Sequence, residues 1–455
     1  MARPGVTLDV ADVQGLVVRG YGRLPHAHFL ACAVRDPGAA RRLLGDLLAQ
    51  VTNGVGHGDG ALNVAFTAPG LVALGLPADV VEGGFAAPFV EGMTTTHRQR
   101  LLGDAGPADP RGWLWGGPDT TPVHLLLLLY AATAEILAER RDALLAAAAG
   151  ALDVVADLPT DELGDTEAFG FRDGLSQPRL SGLPRDPGRR ALPTGEFVLG
   201  YPNAYGQLGP RPLLDPATDP QRLLPRDPGG SGAADLGKDG SYLVVRQLRQ
   251  DVDGFEAFLR ERAGADEGAR ERLAAKMVGR WRSGAPLVLA PDADTDGLAD
   301  ADFGYHAEDP DGLACPLGAH IRRANPRDAL PPAPGSERSL RLTDHHRLLR
   351  RARNYTHDEG CGLHFLCLVG DLSRQYEFVQ HSWLNDSVFN GLHDDADPLV
   401  APRGTRGGTF VEQARPVRTR HRDLPEFVRV RGGAYFFLPG VSALRYLARM
   451  SPEEA

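Results

Sequence analysis

The longest apolar run of the chain, residues 123–132, constrains the fold more than any other feature. It is too short to cross a bilayer, which takes about 20 apolar residues. Residues 123–130 are apolar on both faces of an extended segment, which is typical of a central strand covered on both sides. Leucine also permits a helix here, but the pattern favours a strand inside a globular protein.

Segments before and after this run carry strand and helix patterns in turn. Residues 28–34 are predicted to form a strand, and residues 62–66 alternate with the period of two that is typical of another. Between them, Asp36 and Pro37 provide a helix cap and a first-turn proline. The apolar stripe of that helix consists of Leu43, Leu44, Leu47, Leu48 and Val51. Thr133 is predicted to cap a second helix.

The second half of the chain repeats this order of elements. Strands are predicted over residues 242–248 and 363–369, and helices over residues 252–277 and 372–384. The element order suggests an old duplication, although no residue-level repeat accompanies it. The chain is therefore predicted to be an α+β protein with two similar halves.

Two stretches rich in proline, aspartate and glycine interrupt the pattern, at residues 209–236 and 328–337. Such composition predicts surface loops, and the first stretch is expected to mark the boundary between the halves. A length of 455 residues is consistent with two or three domains.

Charge and cysteine usage exclude several classes of protein. The net charge is −10 and no block of lysine and arginine stands out, so no nucleic-acid partner is expected. The four cysteines form no Cys-x-x-Cys pair, which favours buried reduced thiols over disulfides or a zinc site. Residues 1–7 lack the charged start and apolar core of a secretory signal. A cytoplasmic protein with no membrane partner is expected.

The segment Phe-Gly-Phe-Arg-Asp-Gly-Leu-Ser-Gln-Pro, residues 169–178, is the first that carries chemistry. Gly170 and Gly174 permit a sharp turn and a close approach to a flat ligand, and Asp173 is expected to be a buried carboxylate presented between them. The alternative is an ordinary turn in which the aspartate binds its own backbone.

Two later segments supply an imidazole and arginines. His320 follows a Cys-Pro-Leu-Gly turn at residues 315–318 and precedes three arginines that suit carboxylate partners, Arg322, Arg323 and Arg327. The alternative is a solvated basic face. Residues 347–353 hold a second arginine cluster, and its pattern does not choose among its members. A carboxylate, a histidine that binds a metal and a fixed cation are together the parts needed to split a peroxide on a haem iron.

The chain resembles the dye-decolorizing peroxidases, in their larger bacterial and fungal branch. Besides the segments above, the resemblance rests on DVQGL at 12–16, FVLGYPN at 197–203, GSYLVVRQL at 240–248, QYEFVQ at 375–380 and RGGAYFFLP at 431–439. It implies two ferredoxin-like units with antiparallel sheets, in a dimeric α+β barrel-like arrangement within one chain. The units expected are residues 1–220, which carry the Gly-x-x-Asp-Gly motif, and residues 221–455, which bind one haem b.

Individual roles follow from the same resemblance. His320 matches the axial ligand of the haem iron, Asp173 the distal acid, and Arg350 the distal arginine. Ala352 stands where the family commonly has glycine, so Arg347 and Arg351 stay open as alternatives to Arg350. The remaining residues implied to contact the haem are Gly174, Ser176, Asn325, Arg327, Leu363 and Phe365. The aromatic residues that are candidates for passing electrons inward, with burial in the core as the alternative, are Tyr355, Tyr376, Trp383 and Tyr435.

The activity implied is reduction of hydrogen peroxide coupled to oxidation of dyes, phenols or other one-electron donors, with an acid pH optimum. Asp173 is expected to relay the peroxide proton, and Arg350 to stabilise the charge on the leaving oxygen. The alternatives are a haem carrier or iron-releasing protein on the same scaffold, and a binding module for a small anion without haem. Whether the chain forms a homo-oligomer stays open.

Overall fold

The computed structural model describes residues 7–183, 190–299, 302–357, 360–403 and 407–450. Residues 1–6, on which most of the signal-peptide prediction rests, lie outside the described part. Within that part, no helix combines the length and the apolar character that crossing a membrane requires.

The first half of the chain forms a four-stranded antiparallel sheet. Its strands are β1 His26–Val34, β2 Gly60–Phe66, β3 Leu125–Ala131 and β4 Leu152–Pro159. They are arranged in the order β4-β1-β3-β2, which with helices after β1 and after β3 is a ferredoxin-like unit. The helices of this half are α1 Gly15–Val18, α2 Pro37–Leu47, α3 Ala68–Leu74, α4 Ala78–Gly84, α5 Ala87–Glu91, α6 Thr96–Leu102 and α7 Ala134–Ala148.

Local capping explains two of these helices. The Asp36 side chain accepts the Ala39 amide at the start of α2, and the Thr133 side chain accepts the Ile136 amide at the start of α7. Both caps agree with the sequence predictions.

The second half repeats the arrangement with the strands β7 Ser241–Gln250, β8 Leu349–Arg350, β9 Arg353–His357, β10 Gly360–Val369 and β13 Val428–Leu438. Their order is β13-β7-β10-β8, with β9 also paired to β10. Two small ribbons pair β5 Leu213–Leu214 with β6 Ala234–Asp235, and β11 Gly408–Glu412 with β12 Thr419–Leu424. The helices are α8 Val252–Ala263, α9 Glu267–Val278, α10 Tyr305–Glu308, α11 His320–Ala324, α12 Glu337–Asp344 and α13 Val441–Arg449. Two ferredoxin-like units are therefore confirmed.

The two units share one sheet and one core. Strand β13 pairs with β2 at Phe437 and Phe66, which joins the units into a nine-stranded sheet. The two edges of this sheet also approach each other, since the Asp161 amide after β4 donates to the Asn354 carbonyl of β9 at 2.9 Å. Buried side chains from both units fill the space so enclosed, including Phe29, Leu126, Leu128, Leu243, Val245, Leu366 and Phe436. This is the barrel-like arrangement expected.

Three segments differ from the sequence prediction or refine it. The helix predicted over residues 252–277 is two helices, because Gly264 adopts φ +76° and Asp266 caps a new start by accepting the Gly268 amide. Residues 372–384 are helical but form wide π-type turns at Ser373–Glu377 and Val379–Leu384. The boundary at residue 220 stays a prediction; it falls within the long connection between β4 and β7.

Candidate active site

A cavity of about 330 Å³ lies between β7, β10 and α11 of the second half and the segment around Asp173. This volume is within the range of ligand cavities, roughly 300–1,000 Å³. The residues predicted for the site that line it are Asp173, Ser176, His320, Asn325, Arg327, Arg350, Leu363 and Phe365. Gly174 lies between two of them but does not line the cavity itself.

Strand pairing explains how β10 and β7 face the cavity. Leu363 pairs with Leu248 and Phe365 with Arg246, and all four line the cavity because alternate residues of a strand share a face. Leu366, the residue after Phe365, points into the shared core instead. One sheet therefore separates the barrel interior from the cavity.

Two glycines shape the turn that presents Asp173. Gly170 has φ +86° and Gly174 has φ +75°, conformations that favour glycine, as the sequence predicted. The prediction of a buried carboxylate was wrong: Asp173 is exposed, because its side chain lines the open cavity. Among the described residues, its carboxylate has no hydrogen-bond partner.

The arginine cluster divides between two faces of the protein. Arg350 lines the cavity; its guanidinium donates to the Leu175 carbonyl at 2.6 Å, and its amide donates to Gln177 Oε1 at 3.1 Å. Arg347 also lines the cavity. Arg351 instead donates to the carbonyls of Leu16 and Val17, at 2.8 and 3.1 Å. Arg350 and Arg347 are thus in place to meet a ligand in the cavity, and Arg351 is not.

His320 is the first residue of α11, and a carboxylate holds its ring from behind. Its Nδ1 lies 2.9 Å from Oδ2 of Asp397, whose side chain is fully buried. The other Asp397 oxygen accepts the amides of Leu399 and Val400, at 2.9 and 3.0 Å. Burial opposes both charges, but their mutual attraction raises the pKa of His320 and lowers the pKa of Asp397. Nε2 is left as the nitrogen for a ligand in the cavity.

Asp397 was missed in the sequence, because it follows His320 by 77 residues with no spacing rule to connect them. Its only signal was a short acidic tract, residues 394–397.

One end of the cavity is basic. Arg280 and Arg327 both donate to Oγ of Ser176, at 3.0 and 3.3 Å, and Arg347 donates to the Ser176 carbonyl at 2.5 Å. Burial lowers the pKa of Arg347 to about 10, and the neighbouring arginines add to the effect. Cations so closely placed suit anionic groups of a ligand. Arg280 was also missed in the sequence.

These features fit a haem. The cavity has apolar walls, a histidine held for ligation and a basic end that suits propionates. Within the described residues, no three histidine, cysteine or acidic side chains group as ligands for a metal ion. A metal bound through His320 alone would have to bring its other ligands with it, as haem iron does.

The four aromatic candidates for electron passage are all buried: Tyr355, Tyr376, Trp383 and Tyr435. Tyr376 is the one of the four that lines the cavity. Burial agrees with the core alternative, although a role for them stays untested.

Comparison with known proteins decides the family. A dye-decolorizing peroxidase of Exidia glandulosa is 30% identical over 412 residues, which cover 84% of this chain and 75% of the relative. The chain belongs to the dye-decolorizing peroxidases. The chain is also 29% identical to a multifunctional dye peroxidase of an Amycolatopsis species, over 85% of the chain and 82% of the relative. A scan against protein-family models finds no match.

Solved structures agree. A dye-decolorizing peroxidase in complex with 2,6-dimethoxyphenol superposes with a TM-score of 0.77 at 25% identity, covering 97% of this chain and all of the other. A peroxidase of Anabaena has the same fold, with a TM-score of 0.77 at 23% identity. A deferrochelatase of Yersinia pestis is similar over only 46% of this chain, and the match covers 35% of the deferrochelatase. The iron-releasing alternative is therefore not favoured, and the protein is an oxidoreductase that uses a peroxide.

Proposed function

We propose that this peroxidase binds one haem b per chain, reduces hydrogen peroxide and oxidises phenols and dyes. The observation that carries the proposal is the shared cavity, which brings Asp173 and Arg350 together with a histidine held by Asp397. The solved relative with 2,6-dimethoxyphenol supports phenols as a donor class. The cytoplasmic location stays a prediction.

Each residue has a separate task. His320 would ligate the iron through Nε2, while Asp397 holds the ring and its tautomer. The basic end, with Arg280, Arg327 and Asn325, holds the propionates. A haem held there would supply the two electrons for peroxide cleavage and would recover them one at a time from donors.

Asp173 moves the proton. It accepts a proton from the bound peroxide and returns it to the leaving oxygen, which its lack of a competing partner among the described residues allows. Arg350 is held through the Leu175 carbonyl and offers its remaining N–H groups to the charge that develops on that oxygen. The alternative distal cation is Arg347, which lines the same cavity.

The test is rapid mixing of the haem-loaded protein with peroxide while the Soret absorption is followed. We expect D173A to slow the absorption change by about 10²–10⁴-fold and R350A by about 10²–10³-fold. D165A is the matched control, because Asp165 is an exposed carboxylate in the same segment. Haem binding without a response to peroxide in the native chain would contradict the proposal, as would an equal loss in D165A.

A further inference from the structure

Glu167 is an acidic residue at the cavity to which the proposed reaction gives no task. It lies six residues before Asp173 and lines the same cavity. Its side chain faces inward, onto the turn that ends in Asp173.

The Glu167 carboxylate binds the backbone of that turn twice. Oε1 accepts the Phe171 amide at 2.9 Å, and Oε2 accepts the Phe169 amide at 3.1 Å. Backbone bonds close the same loop, from the Glu167 amide to the Phe171 carbonyl at 2.9 Å and from the Gly170 amide to the Glu167 carbonyl at 2.8 Å.

The carboxylate is in turn tied to the sheet. Oε2 also accepts the side-chain amide of Gln250, the last residue of β7, which itself lines the cavity. Glu167 therefore links the turn to the rigid sheet that forms a wall of the cavity.

The opposite side of the turn is held by Arg282. Its guanidinium donates to the Phe169 carbonyl and lies 5.1 Å from the Phe171 ring centre, and its carbonyl accepts the Arg172 amide at 3.0 Å. Two carboxylates, Glu256 and Glu271, pair with Arg282, each at 2.8 Å. The turn is thus clamped between a carboxylate inside and a guanidinium outside.

We propose that Glu167 is the positioning residue of Asp173. Asp173 has no side-chain bond of its own to a described residue, so the position of its carboxylate depends on the backbone of the turn. Both amides that Glu167 accepts lie within four residues of Asp173. The inference rests on the proposed role of Asp173 in the peroxide reaction.

Two acceptor oxygens on the side chain are required for this geometry. A glutamine has one acceptor oxygen, and its amide group would place N–H against a backbone N–H that now has an acceptor. E167Q keeps the size of the side chain but loses one of the two backbone bonds.

The first arm of the test needs no catalysis. Hydrogen exchange of the haem-loaded protein measures the amides of Phe169 and Phe171, and we expect E167Q to speed their exchange by about 10-fold or more. E256Q is the matched control, since Arg282 keeps Glu271 and the inner contacts are untouched. Unchanged exchange in E167Q overturns the inference.

The second arm is a double-mutant cycle on the rate constant for peroxide. E167Q is expected to lower that rate constant by about 10–100-fold in the native background, because small misplacements of a reacting group have effects of this size. In a D173N background the same change should have an effect of less than about twofold. An equal loss in both backgrounds overturns the inference.

The two arms separate failure of the inference from failure of the proposed function. A native protein that binds haem but does not react with peroxide overturns the proposed function, while exchange in E167Q still reports on the turn. If E167Q does not fold, E167D keeps the charge but shortens the reach. The same faster exchange and the same dependence on Asp173 are then expected, and their absence overturns the inference.

Discussion

The two sides of the cavity are built in opposite ways. On one side, His320 is held by the fully buried Asp397, which also accepts two backbone amides. On the other, Asp173 is exposed and its carboxylate makes no hydrogen bond to a described residue. A group that must keep one orientation toward a metal is fixed by its own hydrogen bonds, whereas a group that must take and return a proton keeps its oxygens available.

Exchanging the two sides' key residues for alanine gives the largest contrast. We expect H320A to weaken haem binding by more than about 100-fold, because the iron loses its protein ligand. D173A should bind haem as the native protein does. Haem titration followed by absorption measures both, with H381A as a control at an exposed histidine. Equal affinities of H320A and the native chain would remove His320 as the ligand.

Alanine substitutions separate the roles of Arg350 and Arg347 on the exposed side of the cavity. R350A is expected to lower the rate constant for peroxide by about 10²–10³-fold, while R347A should mainly weaken haem binding, because Arg347 contacts the Ser176 carbonyl at the basic end. Stopped-flow rates and haem titrations of the two variants give the comparison. The reverse pattern would assign the distal role to Arg347.

The buried side should also show in the pH dependence of stability. Burial raises the pKa of Asp395 from 3.8 to about 7, so the folded chain binds this proton more tightly than the unfolded chain. The contribution of this bound proton to the stability of the folded chain is complete below pH 3.8 and is lost as the pH rises through about 7.

Asparagine imitates the protonated form of Asp395. D395N should therefore gain about 4 kcal/mol of unfolding free energy over the native chain at pH 8, with little difference at pH 4. Urea unfolding of the haem-loaded proteins at both pH values tests this. A constant difference across the pH range would mean that Asp395 does not titrate between the two states.

The smallest effect is expected for the support of the histidine. D397N keeps two acceptor sites for backbone amides but loses the charge opposite the ring, and haem affinity should fall by about 10–100-fold. The measurement is the same haem titration as for H320A. A loss as large as that of H320A would mean that Asp397 maintains the fold of the site rather than the ligand alone.

Local chemistry made parts of the fold predictable. The Asp36 and Thr133 caps form from residues within three positions of each other, so the sequence pattern contains the whole interaction. Strand β4 was missed because it lies at the edge of the sheet and most of its side chains are at least partly exposed, which weakens the apolar alternation. The single helix over residues 252–277 was wrong because one glycine and a new cap outweighed a continuous helical pattern.

The site was predictable only where its residues belong to continuous motifs. Asp173, His320 and Arg350 lie in such motifs, and the cavity brings all three together. Asp397 and Arg280 act on the site through contacts between segments far apart in sequence, as does Glu167 through Gln250. No spacing along the chain encodes such contacts.

The sequence by itself determined the turn chemistry, the helix caps and the family to which the motifs belong. Only the tertiary structure decided which arginines of the cluster line the cavity. Neighbouring residues at a strand point to opposite faces, so Arg350, paired with Cys367 on β10, lines the cavity, while Arg351 reaches the carbonyls of α1. The choice depends on the pairing of β8 with β10, a contact between segments that the chain brings together only when it folds.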